Sequence, residues 1–375
     1  MQIPFNKPYI CGKEAQHIAH TAYLGKISGN GEFTGRCHEF FEKHFGFRKV
    51  LLTTSCTDAL EMAALLLKIQ EGDEVILPSY TFVSTAIAFY LRGAKLLFAD
   101  CGDKTPNIDA DKLESLITDK TKAIVVVHYA GIACDMDKLK TLADKYDLFL
   151  VEDAAHAIDS YYKGKPLGSI GHFGAFSFHE TKNIISGEGG MLAINEKCFV
   201  DRAEIIWEKG TNRAAFFRGE IDKYDWVDIG SSFLPSEMTA AFLFAQLEDL
   251  KQIQEKRKSI WQYYYDNLKP LEDKGIIQLP FIPEYATNNA NMFYFLTQNN
   301  SVRNKLLKFL NKKGIQAVFH YLPLHLSEFY KNKHDGRELP NTVRYSETLI
   351  RLPFYYELQT DQMEYICKKI REFFN

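Results

Sequence analysis

A lysine and an aspartate, each at the end of an apolar run, carry the first chemical suggestion in this 375-residue chain. Lys182 stands in SFHETKNIISGEGG, Ser177 to Gly190, between a β-like run (GAFSFH) and a glycine-rich loop leading into MLAI. A lysine at a strand-to-loop junction is held in place while its amine stays reachable, as a Schiff-base lysine requires. The plain alternative is a solvated lysine, one of 45 basic residues. Asp153, in VEDAAHA, closes another apolar run 29 residues earlier. Ligands of open parallel sheets bind outside the carboxyl ends of the strands. An acid there is therefore either a ligand contact or a helix N-cap.

Two further junctions have the same character. TTSCTDAL, Thr53 to Leu60, sets small hydroxyl residues between a strand and a helix. First-turn N–H groups with Ser or Thr hydroxyls make an anion site, although the same residues also serve as an ordinary cap. Cys56 within the run reads as a small filler. PSYTFVSTA, Pro78 to Ala86, offers Phe82, which can lie flat against a flat ligand or simply pack in a core.

The elements that must position these residues follow from periodicity. KVLLT, DEVILP, AKLLFAD, KAIVVVH and LFLVED are short apolar strands, separated by helical patterns in TDALEMAALLLKI, TFVSTAIAFYLRG, DADKLESLI and DMDKLKTLADKYD. Such alternation implies α/β architecture, a mainly parallel sheet with helices on both faces. Helices are expected near 13–23 and 34–44 before it, and from 236 through 265 after it. The aromatic, irregular segment 211–233 is long enough to serve a site or an interface. NMFYFL and AVFHYL read as strands of a smaller α/β unit, with helices near 302–311 and from 361. The expected division is a large domain over 1–267, with its N-terminal arm and the 211–233 loop, and a small C-terminal domain over 268–375.

Composition narrows the function classes. A net charge of −3 leaves no basic field to attract nucleic acid. Seven scattered cysteines, none in CxxC spacing, argue against a disulfide framework and a structural zinc site. The N-terminus lacks a signal-peptide pattern, and no apolar run approaches a membrane span. The expectation is a cytoplasmic protein with no nucleic-acid, membrane or metal partner.

Taken in order, SCTDAL, PSYTFVST, VEDAAHA, SFHETKN with GEGG, and HYLPLH resemble the DegT/DnrJ/EryC1/StrS family of pyridoxal phosphate (PLP)-dependent sugar aminotransferases, over essentially the whole chain. The resemblance implies fold type I, the aspartate aminotransferase-like fold, and a homodimer with shared active sites. It implies that Lys182 forms an imine with PLP and shuttles the proton, while Asp153 pairs with the pyridinium nitrogen. Phe82 would stack on the ring and His156 would lie near its hydroxyl. Thr57, the backbone of Asp58, and Ser177 would hold the phosphate. A partner subunit usually adds an Asn there; the matching residue is Ser232, whose hydroxyl has a shorter reach. His320, Tyr321 and His325 match a motif near the sugar nucleotide, and Lys209, Arg213 and Arg218 are candidate cations for its phosphates, with a solvated surface role as the alternative. HYAGIACDMD, EKGTNR, FFRG and DIGSS are most similar to members that aminate a dTDP-linked 4-keto sugar with L-glutamate as donor.

Other readings remain at this stage. Dehydratases of the family carry His in place of the lysine, which Lys182 disfavours. Amination at C3, or the gluco epimer, would keep every cofactor residue. A non-catalytic binding paralogue has no need of both Lys182 and Asp153. A nicotinamide-binding Rossmann enzyme would show GxGxxG after the first strand, where SCTDAL stands instead.

Overall fold

The computed structural model describes residues 2–375. Helices α1 (Glu14–Leu24) and α2 (Glu32–Phe45) lead to β1 (Lys49–Thr53), after which strands and helices alternate. The series is α3 (Cys56–Leu66), β2 (Glu74–Pro78), α4 (Val83–Tyr90), β3 (Lys95–Ala99), β4 (Thr121–Val127), α5 (Met136–Lys145) and β5 (Phe149–Asp153). A small hairpin of β6 (Tyr161–Tyr162) and β7 (Lys165–Pro166) precedes β8 (Phe173–Ser177) and β9 (Gly190–Ile194). Seven strands form one sheet in the order β1-β9-β8-β5-β4-β2-β3. β9 runs antiparallel to β1 and β8, and the remaining neighbours are parallel. Both faces are covered, which is why the strands read as continuous apolar runs rather than alternating ones. Leu52, Ile76, Ile124 and Val126 face one apolar cluster with residues of α2, α5 and α8 (Glu237–Glu248). Leu51, Val75, Val125 and Leu192 face the other, with α3, α4 and α6 (Val200–Trp207).

Register decides where the chemistry collects. Val127 of β4 pairs with Asp153 of β5, and Asp153 with Ala175 of β8. Ser177 and Thr53 both pair with Gly190, at the start of β9. One end of the sheet thus gathers Thr53, Ser177 and Asp153 at strand carboxyl ends.

The C-terminal third comprises α9 (Leu250–Asp273), β10 (Ile277–Gln278), β11 (Tyr294–Thr297), α10 (Asn300–Lys312), α11 (Pro340–Thr348), β12 (Leu349–Arg351) and α12 (Thr360–Phe374). Its three strands form an antiparallel sheet in the order β10-β11-β12. A separate core joins them to α9, α10 and α12, with Ile260, Phe293, Leu306, Ile350 and Ile366 at its centre.

Four local expectations need correction. Residues 109–117 form two short 3-10 turns, because the Asp109 side chain caps Asp111 and Ile117 turns extended. The helix expected over 236–265 breaks at Asp249, whose φ of −104° and ψ of 10° separate α8 from α9. AVFHYL is not a strand: Val318 alone bridges to Arg351, and Tyr321 turns to a φ of +44°. The segment 211–233 holds α7 (Arg213–Phe217) and closes on itself through a Thr211–Trp226 bridge. Residues 267 and 268, where the domain division was drawn, lie inside α9.

Candidate active site

A cavity of ≈ 800 Å³ opens at the strand ends that the register brings together. The main sheet and its helices supply Ser55, Thr57, Phe82, Ser84, Asp153, His156, Ser177 and Lys182. Asn291, His320, Tyr321 and Arg351 arrive from the C-terminal third.

One wall is the start of α3. Ser55 caps it, accepting a hydrogen bond from the Asp58 N–H at 3.1 Å. The first N–H groups of an α-helix have no intrahelical partner, so this end suits an anion. The Thr57 hydroxyl donates to Ser84 Oγ at 2.7 Å. Gly190 lets β9 run against this turn: a Cβ there would lie 2.3 Å from the Ser55 carbonyl carbon and 2.4 Å from the Cys56 nitrogen.

The floor is acidic and buried. Asp153 is buried, accepting from Thr85 Oγ1 at 2.6 Å and from the Ala155 N–H at 3.1 Å. Burial pushes its carboxyl above the usual range, against these two hydrogen bonds. Lys182 follows a turn closed by its own N–H to the His179 carbonyl at 2.9 Å. Burial lowers its amine to about 8. Beside them His156 is held well below the usual imidazole range, first by burial and then by Lys182 and Arg351. Its Nδ1 accepts the Ala130 N–H at 3.3 Å, so the neutral ring carries its proton on Nε2.

The opposite wall is aromatic. Phe82, at the cap position just before α4, has 59% of its surface exposed, and the His320 and Tyr321 rings stack 3.5 Å apart. Tyr129 Oη lies 2.6 Å from His320 Nδ1, and Tyr80 Oη donates to the His320 carbonyl at 2.7 Å. Burial also keeps His320 neutral.

The cavity thus combines an anion-ready helix end, a buried acid, an enclosed amine of lowered basicity and an open aromatic wall. The profile of the DegT/DnrJ/EryC1/StrS aminotransferase family covers residues 8–371. This chain belongs to that family.

The spore coat polysaccharide biosynthesis protein SpsC of Bacillus subtilis is 31% identical to it, over 99% of this chain and 96% of the relative. GDP-perosamine synthase of Escherichia coli O157:H7 is 31% identical, over 100% and 99%. A Streptococcus pneumoniae protein described as a sugar aminotransferase, solved in a PLP form, superposes with a TM-score of 0.90 at 28% identity, covering 100% of this chain and 98% of that one. The protein is accordingly a PLP-dependent sugar aminotransferase of fold type I, acting on a sugar substrate with an amino donor.

The site of this family member fits that cofactor in three independent ways. The buried Asp153 carboxylate, which meets Thr85 Oγ1 and the Ala155 N–H, suits a protonated ring nitrogen. An exposed phenylalanine on the wall offers a face for a ring. A helix start that Gly190 keeps open offers N–H groups to a phosphate.

Not every expected residue lines the cavity. Asp58 points back onto Thr54, and its N–H is taken by the Ser55 cap. His325 is buried elsewhere, with Nδ1 2.7 Å from Ser79 Oγ, and burial lowers it to about 4. Arg213 is paired with Glu208, and Arg218 with Glu204 and Glu220. Lys209 and Ser232 lie on the exposed side of the 211–233 region, where Ser232 bridges Glu208. His128 is a buried structural residue, with Nε2 2.9 Å from Glu152. Sequence reasoning missed Arg351, Asn291 and Thr85. Thr85 lies within the PSYTFVSTA run and was legible as a hydroxyl one helical turn from Thr81. Arg351 and Asn291 carry no local signal, since only the chain's return from the small sheet brings them here.

Proposed function

We propose that this aminotransferase moves an amino group from L-glutamate to the 4-keto group of dTDP-4-dehydro-6-deoxy-D-glucose. The products are dTDP-4-amino-4,6-dideoxy-D-galactose, a precursor for enterobacterial common antigen or O-antigen lipopolysaccharide, and 2-oxoglutarate. The observation that carries amino transfer is the placement of Lys182 and Asp153 in one cavity. The sugar rests on the runs HYAGIACDMD, EKGTNR, FFRG and DIGSS.

When bound, PLP supplies an electron sink at the substrate carbon and stores the amine between the two half-reactions. Asp153, desolvated and held by Thr85, keeps the ring nitrogen protonated. Lys182 Nζ would take the proton from the substrate carbon and return it on the other side of the transfer. Its lowered basicity leaves a large neutral fraction near pH 8, as a base requires. Phe82 fixes the ring plane, His156 donates from Nε2 to the ring hydroxyl, and the α3 start with Thr57 and Ser177 holds the phosphate. His320 and Tyr321 position the sugar. In a homodimer with shared sites, Ser232 of the partner subunit and the cations Lys209, Arg213 and Arg218 would approach this cavity. We further propose a cytoplasmic location, and two domains divided within α9.

A second reading has its own support: the 31% identity to GDP-perosamine synthase favours a GDP-linked 4-keto sugar. Incubation with glutamate and a panel of 3-keto and 4-keto dTDP- and GDP-sugars, with amine position and configuration read by NMR, tests both. Amination of the dTDP-4-keto sugar to the galacto product is expected. Exclusive turnover of a GDP-sugar, or an amine at C3, would replace the reading.

A further inference from the structure

Of the imidazoles lining the cavity, His156 and His320 are held by one turn behind it. The turn, Tyr129–Gly131, comes just after β4, and Ala130 takes a left-handed φ of +57°. A residue with a side chain is strained in that region and persists there only where its surroundings over-determine it. Here they do. Asn107 accepts the Tyr129 N–H and donates to the Ile132 carbonyl, both at 2.9 Å, and Ser160 Oγ donates to the Gly131 carbonyl at 2.7 Å. A Cβ on Gly131 would meet Asn289 Oδ1 at 2.0 Å, so the turn fits closely against the C-terminal third. Fixed in this way, it presents the Ala130 N–H to His156 Nδ1 at 3.3 Å and the Tyr129 hydroxyl to His320 Nδ1 at 2.6 Å.

The second contact fixes a tautomer. Tyr129 is buried, and burial pushes its hydroxyl well above the usual phenol range, so it keeps its proton. A buried hydroxyl needs an acceptor, and His320 Nδ1 is the one that the Tyr129 hydroxyl meets among the described residues. An accepting Nδ1 leaves the single proton of a neutral imidazole on Nε2. The ring is held in place as well, stacked on Tyr321 while Tyr80 Oη donates to its backbone carbonyl. Its Nε2 meets no protein group among the described residues, so the polar atom left for a ligand is an N–H donor. This ring lies within 29° of parallel to that of His156, with the centres 6.3 Å apart. His156 is assigned above to the cofactor's ring hydroxyl, which neighbours the carbon bearing the reactive group. A donor beside it faces the reacting carbon of the substrate, and in a keto sugar that carbon carries a carbonyl oxygen. An imidazole N–H polarises such an oxygen without giving up its proton. We infer that Tyr129 is a positioning residue that orients His320 to donate from Nε2 to the carbonyl oxygen of the keto sugar. This rests on the placement of His320 at the sugar proposed above; the amino donor brings no oxygen on its reacting carbon.

Two measurements test it. In nitrogen NMR of histidine-labelled holoenzyme at neutral pH, the His320 ring is identified by the signal lost in His320→Phe. It should carry its proton on Nε2, and Tyr129→Phe should leave both tautomers populated. A proton on Nδ1, or on both nitrogens, in the parent overturns the inference without reference to turnover. Single-turnover rates then separate the half-reactions. Started from the pyridoxamine form with the keto-sugar nucleotide, Tyr129→Phe should slow amination about 5- to 30-fold. Loss of the cofactor's absorption band with L-glutamate should slow by less than about threefold. In a His320→Phe background, which keeps a ring against Tyr321, Tyr129→Phe should slow amination by less than about twofold more, because it acts through the imidazole. An equal or larger slowing with glutamate, or effects that multiply in the double variant, overturns the inference. Should Tyr129→Phe fail to fold, the proton position in the parent decides. A parent holoenzyme that reacts with glutamate but aminates no keto-sugar nucleotide would instead overturn the proposed substrate.

Discussion

Asp153 and Lys182 are each placed where the charged form is disfavoured, and each gains its use from that cost. Burial raises the Asp153 carboxyl, so without cofactor the position is a liability that Thr85 and the Ala155 N–H, with the nearby Lys182, offset in part. Asp153→Asn should leave the melting temperature of the cofactor-free protein unchanged or raised, while reducing turnover by roughly 10²–10³-fold. Thermal denaturation and steady-state rates measured on one preparation check both halves. For Lys182 the sign runs the other way along the pH axis. Folding lowers its amine from 10.5 to about 8, so between those values the unfolded chain holds a proton that the folded one lacks. The destabilisation is complete below about pH 8 and disappears as pH rises through that window. Lys182→Met in the cofactor-free protein should therefore be more stable than the parent at pH 7.5, and the difference should shrink towards pH 10.5. Urea titrations across that range measure it; a difference independent of pH would refute the assigned burial effect. Lys182→Ala should also abolish amino transfer without loss of fold, as read by rates and circular dichroism.

At the scale of elements, the glycine-rich loop before β9 turns out to serve the start of α3. The structure shows Gly190 giving room to another piece of backbone, the Ser55–Cys56 peptide, which would otherwise be displaced from the sheet edge. Gly190→Ala should cost about 1–3 kcal/mol, as overpacking does, and should weaken cofactor retention because the N–H groups of α3 shift. Melting temperature and fluorescence titration with PLP test the two effects separately. A stable variant with unaltered PLP affinity would show that the helix start is not held by this contact.

Across the whole molecule, a buried polar network joins the lysine loop to the C-terminal third. Asn183, the residue after Lys182, donates to Gln254 Oε1 of α9 at 2.7 Å and to the Asn289 carbonyl at 2.9 Å. It accepts from Asn291 Nδ2 at 2.8 Å, while Arg257 of α9 holds the Ala290 and Asn291 carbonyls. Networks of this kind act only when every member is satisfied. Asn183→Ala leaves Gln254, Asn289 and Asn291 short of partners, at a cost of about 1–3 kcal/mol. It should also lower kcat about tenfold or more by displacing Lys182, with the cofactor still bound. Turnover equal to the parent would mean that the loop is positioned by the sheet alone.

The alternation of β-branched runs with amphipathic helices was sufficient by itself for the α/β class, because a strand buried on both faces must be apolar throughout. The four strand-end junctions were legible for a related reason: a ligand site at the carboxyl edge of a parallel sheet is built from residues that end strands. Lys182, Asp153, Thr57, Ser177 and Phe82 therefore stand out in the chain before any folding is considered. What the linear order could not express was approach from a distance. Arg351 reaches the cavity from the end of β12 and Asn291 from the segment ahead of β11, Asp58 is turned aside by its own helix cap, and His325 is drawn into a bond with Ser79. AVFHYL alternates well enough for a strand, yet the bonds that Tyr80 and Tyr129 make to His320, and the left-handed turn at Tyr321, hold it as a site loop. Local periodicity reports which face of an element is buried; only packing between elements decides what meets it there.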